Sequence, residues 1–129
     1  MCFTAVFFDL KGLKMLSKEF KTIELANGQK QLTIVFHDER YAILSAFFFD
    51  EVGSFEDWIV QHIKDVIDGK ADRREIAGNV FKLVIEKEFS TVYDTLADDE
   101  KGDQCTIETS ELLSLIGQWH EQKALLRVQ

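Results

Sequence analysis

Histidine changes charge nearest neutral pH and is the commonest metal ligand, so His37, His62 and His120 are the first residues to weigh for acid–base or metal chemistry. None stands in a pattern that would do it. His62 precedes Ile63 and His120 follows Trp119, with no second histidine four residues away and no HExxH. All three are expected to be ordinary surface or boundary residues. Serine lacks a GxSxG elbow. Cys2 and Cys105 lie far apart and form no CxxC pair, which excludes a zinc ribbon or thioredoxin-type motif and predicts small buried hydrophobes in a reducing compartment. The seven glycines are scattered and never approach GxGxxG or GxxxxGKS, so no phosphate cradle is predicted.

The carboxylates need a closer look. Aligning Gly102 with the invariant glycine of an EF-hand loop puts Glu108 at the final bidentate position, but Ala97 and Lys101 then occupy positions that require oxygen ligands. Paired acids such as Asp98 and Asp99 would need a pocket that pushes their pKa values apart, and a loop tip supplies none. The sequence therefore predicts no catalytic residue, no metal and no cofactor. Collectively the acids carry more information. Residues 89–121 hold eight acids against Lys101 alone, a local charge of −7 in a chain whose total is −8. Such a run is either a solvated face or a patch that steers and holds a basic protein partner. On the second reading Asp94, Asp98, Asp99, Glu100, Asp103, Glu108 and Glu111 are the partner-binding residues, and the side bearing Asp50-Glu51 and Glu56-Asp57 is the alternative surface.

The elements that must position these groups follow from composition and periodicity. With 129 residues, 46% hydrophobic and 29% charged, the chain suits one globular domain over 1–129, and eleven Phe supply a core without disulfide or metal staples. The acidic balance argues against direct contact with nucleic acid or an anionic membrane, both of which reward positive surface. The apolar stretch at the N-terminus has no basic residue before it and falls far short of the roughly 20 residues of a membrane span, which predicts a cytoplasmic protein.

Residues 2–9 alternate as a half-buried strand, and 11–19 read as a short helix or a surface loop. Residues 21–38 read as a hairpin turning at Asn27-Gly28 in a type I′ turn. A third strand over 41–49, ending in three consecutive Phe, would extend it to a meander. Ser54 is placed as the N-cap of an amphipathic helix over 54–68, with Phe55, Trp58, Ile59, Ile63, Val66 and Ile67 facing the core. After a polar link come strands over 80–88, 90–96 and 104–109. A second helix over 110–125, capped by Thr109 or Ser110, buries Leu112, Leu115, Ile116 and Trp119. The fold class is α+β: an antiparallel twisted sheet of about six to seven strands packed by two amphipathic helices, with both tryptophans largely buried.

In size, in the segments YAILSAFFFDEV, SFEDWIVQHIKDVI and SELLSLIGQWHEQ, and in its acid-rich C-terminal third, the chain resembles the small acidic bacterial immunity proteins of contact-dependent growth inhibition and related polymorphic toxin systems. The resemblance implies a cytoplasmic inhibitor that binds a cognate toxin, often a basic nuclease, and masks its active site. No individual residue role is carried over. Three classes stand at this point: a protein-binding inhibitor, a small-ligand-binding or regulatory α+β domain with an aromatic-lined pocket, and an enzyme using isolated acids or His37.

Overall fold

A computed structural model describes residues 17–78, 80–95 and 104–127. The strand expected over 2–9 and most of the ambiguous 11–19 segment lie outside them; Lys18 and Glu19 belong to the first described strand. That strand, β1 (Lys18–Glu24), pairs antiparallel with β2 (Lys30–Phe36), in register from Lys18 opposite Phe36 to Glu24 opposite Lys30. The hairpin lies where the sequence puts it, but its turn differs. Only Gly28 has positive φ, at +84°, and Leu25 accepts from the Gly28 amide at 2.9 Å while donating to Gln29 at 2.7 Å. A type I′ turn needs two left-handed residues; one left-handed glycine closing a three-residue loop is the bulged alternative. The Asn27 side chain contributes by accepting from the Gln29 amide at 3.0 Å.

The expected strand over 41–49 is helical. A 3₁₀ turn (Glu39–Tyr41), capped by Asp38 Oδ1 accepting from the Arg40 amide at 2.9 Å, leads into α1 (Ala42–Phe47) and then a π-helical stretch (Phe48–Val52). The buried residues are Leu44, Phe47, Phe48, Glu51 and Val52, the i, i+3, i+4, i+7, i+8 pattern of a helix face. Packing of that stripe outweighs the strand preference of the aromatic run, and Phe49 is left partly exposed. α2 (Gly53–Ile67) continues directly, so Ser54 lies inside a helix and not at its cap; the interruption shows as a kink at Phe55, with φ −127° and ψ 28°.

The remaining strands form a four-stranded antiparallel sheet in the order β3 (Arg73–Ala77), β4 (Phe81–Glu86), β5 (Phe89–Asp94) and β6 (Gln104–Glu108). The architecture is thus α+β, with two sheets of two and four strands among the described residues in place of one larger sheet. β3 falls in what reads as a polar link, because its apolar content is little more than Ile76. Arg73, Arg74 and Glu75 put charge on this edge strand, which discourages pairing with another chain.

The inner face of this sheet carries Phe81, Leu83, Ile85, Val92, Cys105 and Ile107, and packs against α1, α2 and α3 (Thr109–Arg127). β2 adds Leu32, Ile34 and Phe36 to the same core. Trp119 is fully buried beside Phe48, with ring centroids 5.4 Å apart, as expected. Trp58 is not: it lies one residue off the Ile59, Ile63, Val66 stripe and is 44% exposed.

Two polar contacts lock the layers. Thr109, fully buried, donates its hydroxyl to the Glu86 carbonyl at 2.5 Å, which leaves Ser90 to donate to Thr109 at 2.7 Å; the hydroxyl is spent on the sheet and not on capping. The Glu51 carboxylate, 1% exposed, accepts from the backbone amides of Val80 at 2.8 Å and Phe81 at 3.3 Å. Gly78 makes room for it, since a Cβ there would stand 1.7 Å from Glu51 Oε2. Glu51 therefore joins the helical corner to the β3–β4 turn and is unavailable as a surface acid.

Candidate protein-docking surface

The three histidines are engaged locally. His37 Nδ1 lies 2.6 Å from the Ser17 hydroxyl. His62 accepts at Nδ1 from an Arg74 N–H at 3.0 Å, while its ring meets Trp58 edge-on at 5.1 Å. His120 Nδ1 lies 2.6 Å from Glu56 Oε2, a pair separated by 64 positions in sequence that no local pattern reveals. Cys105 is buried, and desolvation pushes its thiol up to about 11, against a weak opposing pull from Arg40. A thiol with so little thiolate at neutral pH is a packing residue. Cys2 lies outside the described residues. Among the described residues no three His, Cys, Asp or Glu side chains converge as metal ligands, and no helix is long and apolar enough to cross a membrane.

Of the acids of the C-terminal third, three that the sequence names as partner-binding lie among the described residues: Asp94, Glu108 and Glu111. Asp94 ends β5 at the loop side of the β5–β6 hairpin, whereas Glu108 stands opposite Phe89 at its other end. Five residues of antiparallel strand separate those ends by about 17 Å. Glu111 follows in the first turn of α3, on the Glu108 side. Asp98, Asp99, Glu100 and Asp103 lie outside the described residues. On the outer face of the sheet, charges of both signs answer each other: Glu75 is 3.2 Å from Arg73 and 3.4 Å from Lys82, which holds its carboxyl below the usual range, and Lys82 lies 4.9 Å from the Tyr93 ring centre.

A different surface gathers around the start of α2. The kink at Phe55 turns the helix so that Phe55, Trp58 and His62 form an edge-to-face ladder, Phe55 and Trp58 being 6.1 Å apart with rings at 67°. Beside it a groove of about 620 Å³ opens between residues 53–58 and the His120, Lys123 and Ala124 side of α3. Glu56 forms part of its wall. Its side chain is only 15% exposed, Oε2 is bound to His120, and Oε1 is enclosed without a hydrogen-bond partner. An unmade hydrogen bond on a buried carboxylate is costly. Asp57, also lining the groove, and Asp50 on the preceding turn are exposed.

Residues 50–68 hold six acids, Asp50, Glu51, Glu56, Asp57, Asp65 and Asp68, against Lys64 alone. This second concentration of charge is hidden in the chain total because the segments on either side are slightly basic. The sequence cue that marks the surface is SFEDW, two aromatics interleaved with two acids where the helix stripe starts one residue later.

The described residues form an α+β protein that presents an exposed aromatic ladder, acids on a helix face, and histidines held in local pairs. An immunity protein of Bacillus cereus is 37% identical to this chain over 99 residues, covering 77% of this chain and 82% of that protein. The chain belongs to the family of that immunity protein. No family model and no solved structure matches it.

Proposed function

We propose that this chain binds and neutralises a cognate toxin, a basic nuclease of a contact-dependent or related polymorphic toxin system, by stoichiometric association in the cytoplasm and without catalysis of its own. The kinship to an immunity protein over most of both chains carries this reading. The −8 charge supports it, because an acidic protein that covers a nuclease's phosphate-binding groove competes with the nucleic acid for the same cations. Asp94, Asp98, Asp99, Glu100, Asp103, Glu108 and Glu111 contribute to attraction at long range. Since the hairpin holds Asp94 and Glu108 at opposite ends, the 98–103 loop with Asp94 acts as one charged element and Glu108 with Glu111 as another.

The test is co-expression with the cognate toxin domain. Growth arrest by the toxin alone, relieved by this chain and accompanied by a 1:1 complex on size-exclusion chromatography, is the expected result. Arrest that persists, with the two proteins eluting separately, overturns the assignment.

A further inference from the structure

We infer that the groove between the start of α2 and the C-terminal half of α3 is the docking subsite for an arginine of the cognate toxin, with Trp58 and Glu56 as its recognition residues. The inference rests on the reading above and adds a location and a chemistry to it. Three observations point to a guanidinium. Glu56 offers a carboxylate with one oxygen already held by His120 and the other enclosed and unpaired, so a planar fork of N–H donors would complete it. Trp58, 44% exposed, lines the same groove, and an arginine guanidinium is found over an indole ring more often than a lysine ammonium is. Asp57 lines the same groove and Asp50 lies on the preceding turn, so the field favours a cation over an anion even with Lys123 at the rim.

A half-exposed tryptophan is of the residue type most enriched among the few that carry most of an interface's affinity. Reaching the carboxylate requires one adjustment: the His120 side chain, 66% exposed and bonded to Oε2, gives that oxygen up to the guanidinium. His120 thus shields Glu56 in the free protein and yields it in the complex.

The experiment measures binding of the purified cognate toxin domain to wild type, Trp58→Ala, Glu56→Gln and His120→Ala, with the thermal midpoint of each variant recorded. Trp58→Ala and Glu56→Gln should each weaken binding about 30-fold or more, as central anchors do. His120→Ala should bind as tightly as wild type or more tightly. A Glu56–His120 pair that only supports the fold would instead give equal losses in both variants, and that outcome refutes the subsite. So do Trp58→Ala and Glu56→Gln values within threefold of a wild type that binds, a result that leaves the inhibitor reading standing. Absence of wild-type binding removes both. A Glu56→Asp variant, which keeps the charge and shortens the reach, should recover part of the affinity lost in Glu56→Gln.

Discussion

At the scale of single residues, Glu51 and Thr109 spend their buried polar groups on joining the layers. Glu51 shows it best: its neighbours in sequence mark it as a surface acid, but its carboxylate binds two backbone amides across the β3–β4 turn, in space that Gly78 leaves open. Gly78→Ala should therefore destabilise the protein by about 1–3 kcal/mol, the usual cost of overfilling a packed site, read as a fall in the denaturant midpoint. An unchanged midpoint would mean that the carboxylate is not held there. Cys105 gives a second expectation. Its folded thiol titrates near 11, above the ordinary 9.0, so the unfolded chain ionises first and this contribution to stability, complete below pH 9, is lost as pH rises toward 11. In a Cys2→Ser background Cys105 should react with a thiol reagent at pH 8 only as fast as the protein opens. Rapid labelling of the native protein would contradict the burial. Little of this is legible in sequence, because Glu51 with Gly78 and Glu56 with His120 are brought together by the fold alone.

At the scale of elements, the two amphipathic helices, the β1–β2 hairpin and the strands β4 to β6 are written in local pattern, and each forms close to where its periodicity places it. Ile63 sits at the centre of one such stripe and is fully buried; Ile63→Ala should cost about 2–5 kcal/mol in a denaturant titration. A loss below about 1 kcal/mol would put it at the surface. The segment 41–49 shows why short apolar runs mislead. Tyr41, Ile43, Phe47, Phe48 and Phe49 have strand preference, but the helical spacing becomes visible only when Glu51 and Val52 are included. β3 is obscure for the opposite reason, having too few apolar residues to alternate. Trp58 reads as part of the stripe because it is large and stands three residues after Phe55. Its position one step before Ile59 sends it to the solvent side, where it becomes the most distinctive feature of the surface.

At the scale of the whole molecule, acid is concentrated twice, over 50–68 and over 89–121, with slightly basic segments between and beyond. The sequence alone makes the second block conspicuous; the fold sets a half-exposed tryptophan and a groove beside the first, and of the second it places Asp94 and Glu108 at opposite ends of the β5–β6 pairing. The two are expected to do different work. Changing Asp98, Asp99, Glu100 and Asp103 together to Asn or Gln should slow association with the toxin and flatten its salt dependence while leaving dissociation nearly unaltered, as rim charges do. An association rate that is unchanged at low salt would make that loop an ordinary solvated turn. The central claim, that the chain neutralises a toxin by occupying it, is tested most directly by titrating the protein into a fixed amount of the purified toxin domain and following residual nuclease activity. The account predicts a linear fall that reaches zero at one inhibitor per toxin and is reversed when the complex is dissociated. Loss of activity at a small fraction of an equivalent, or full activity at a large excess, would contradict it.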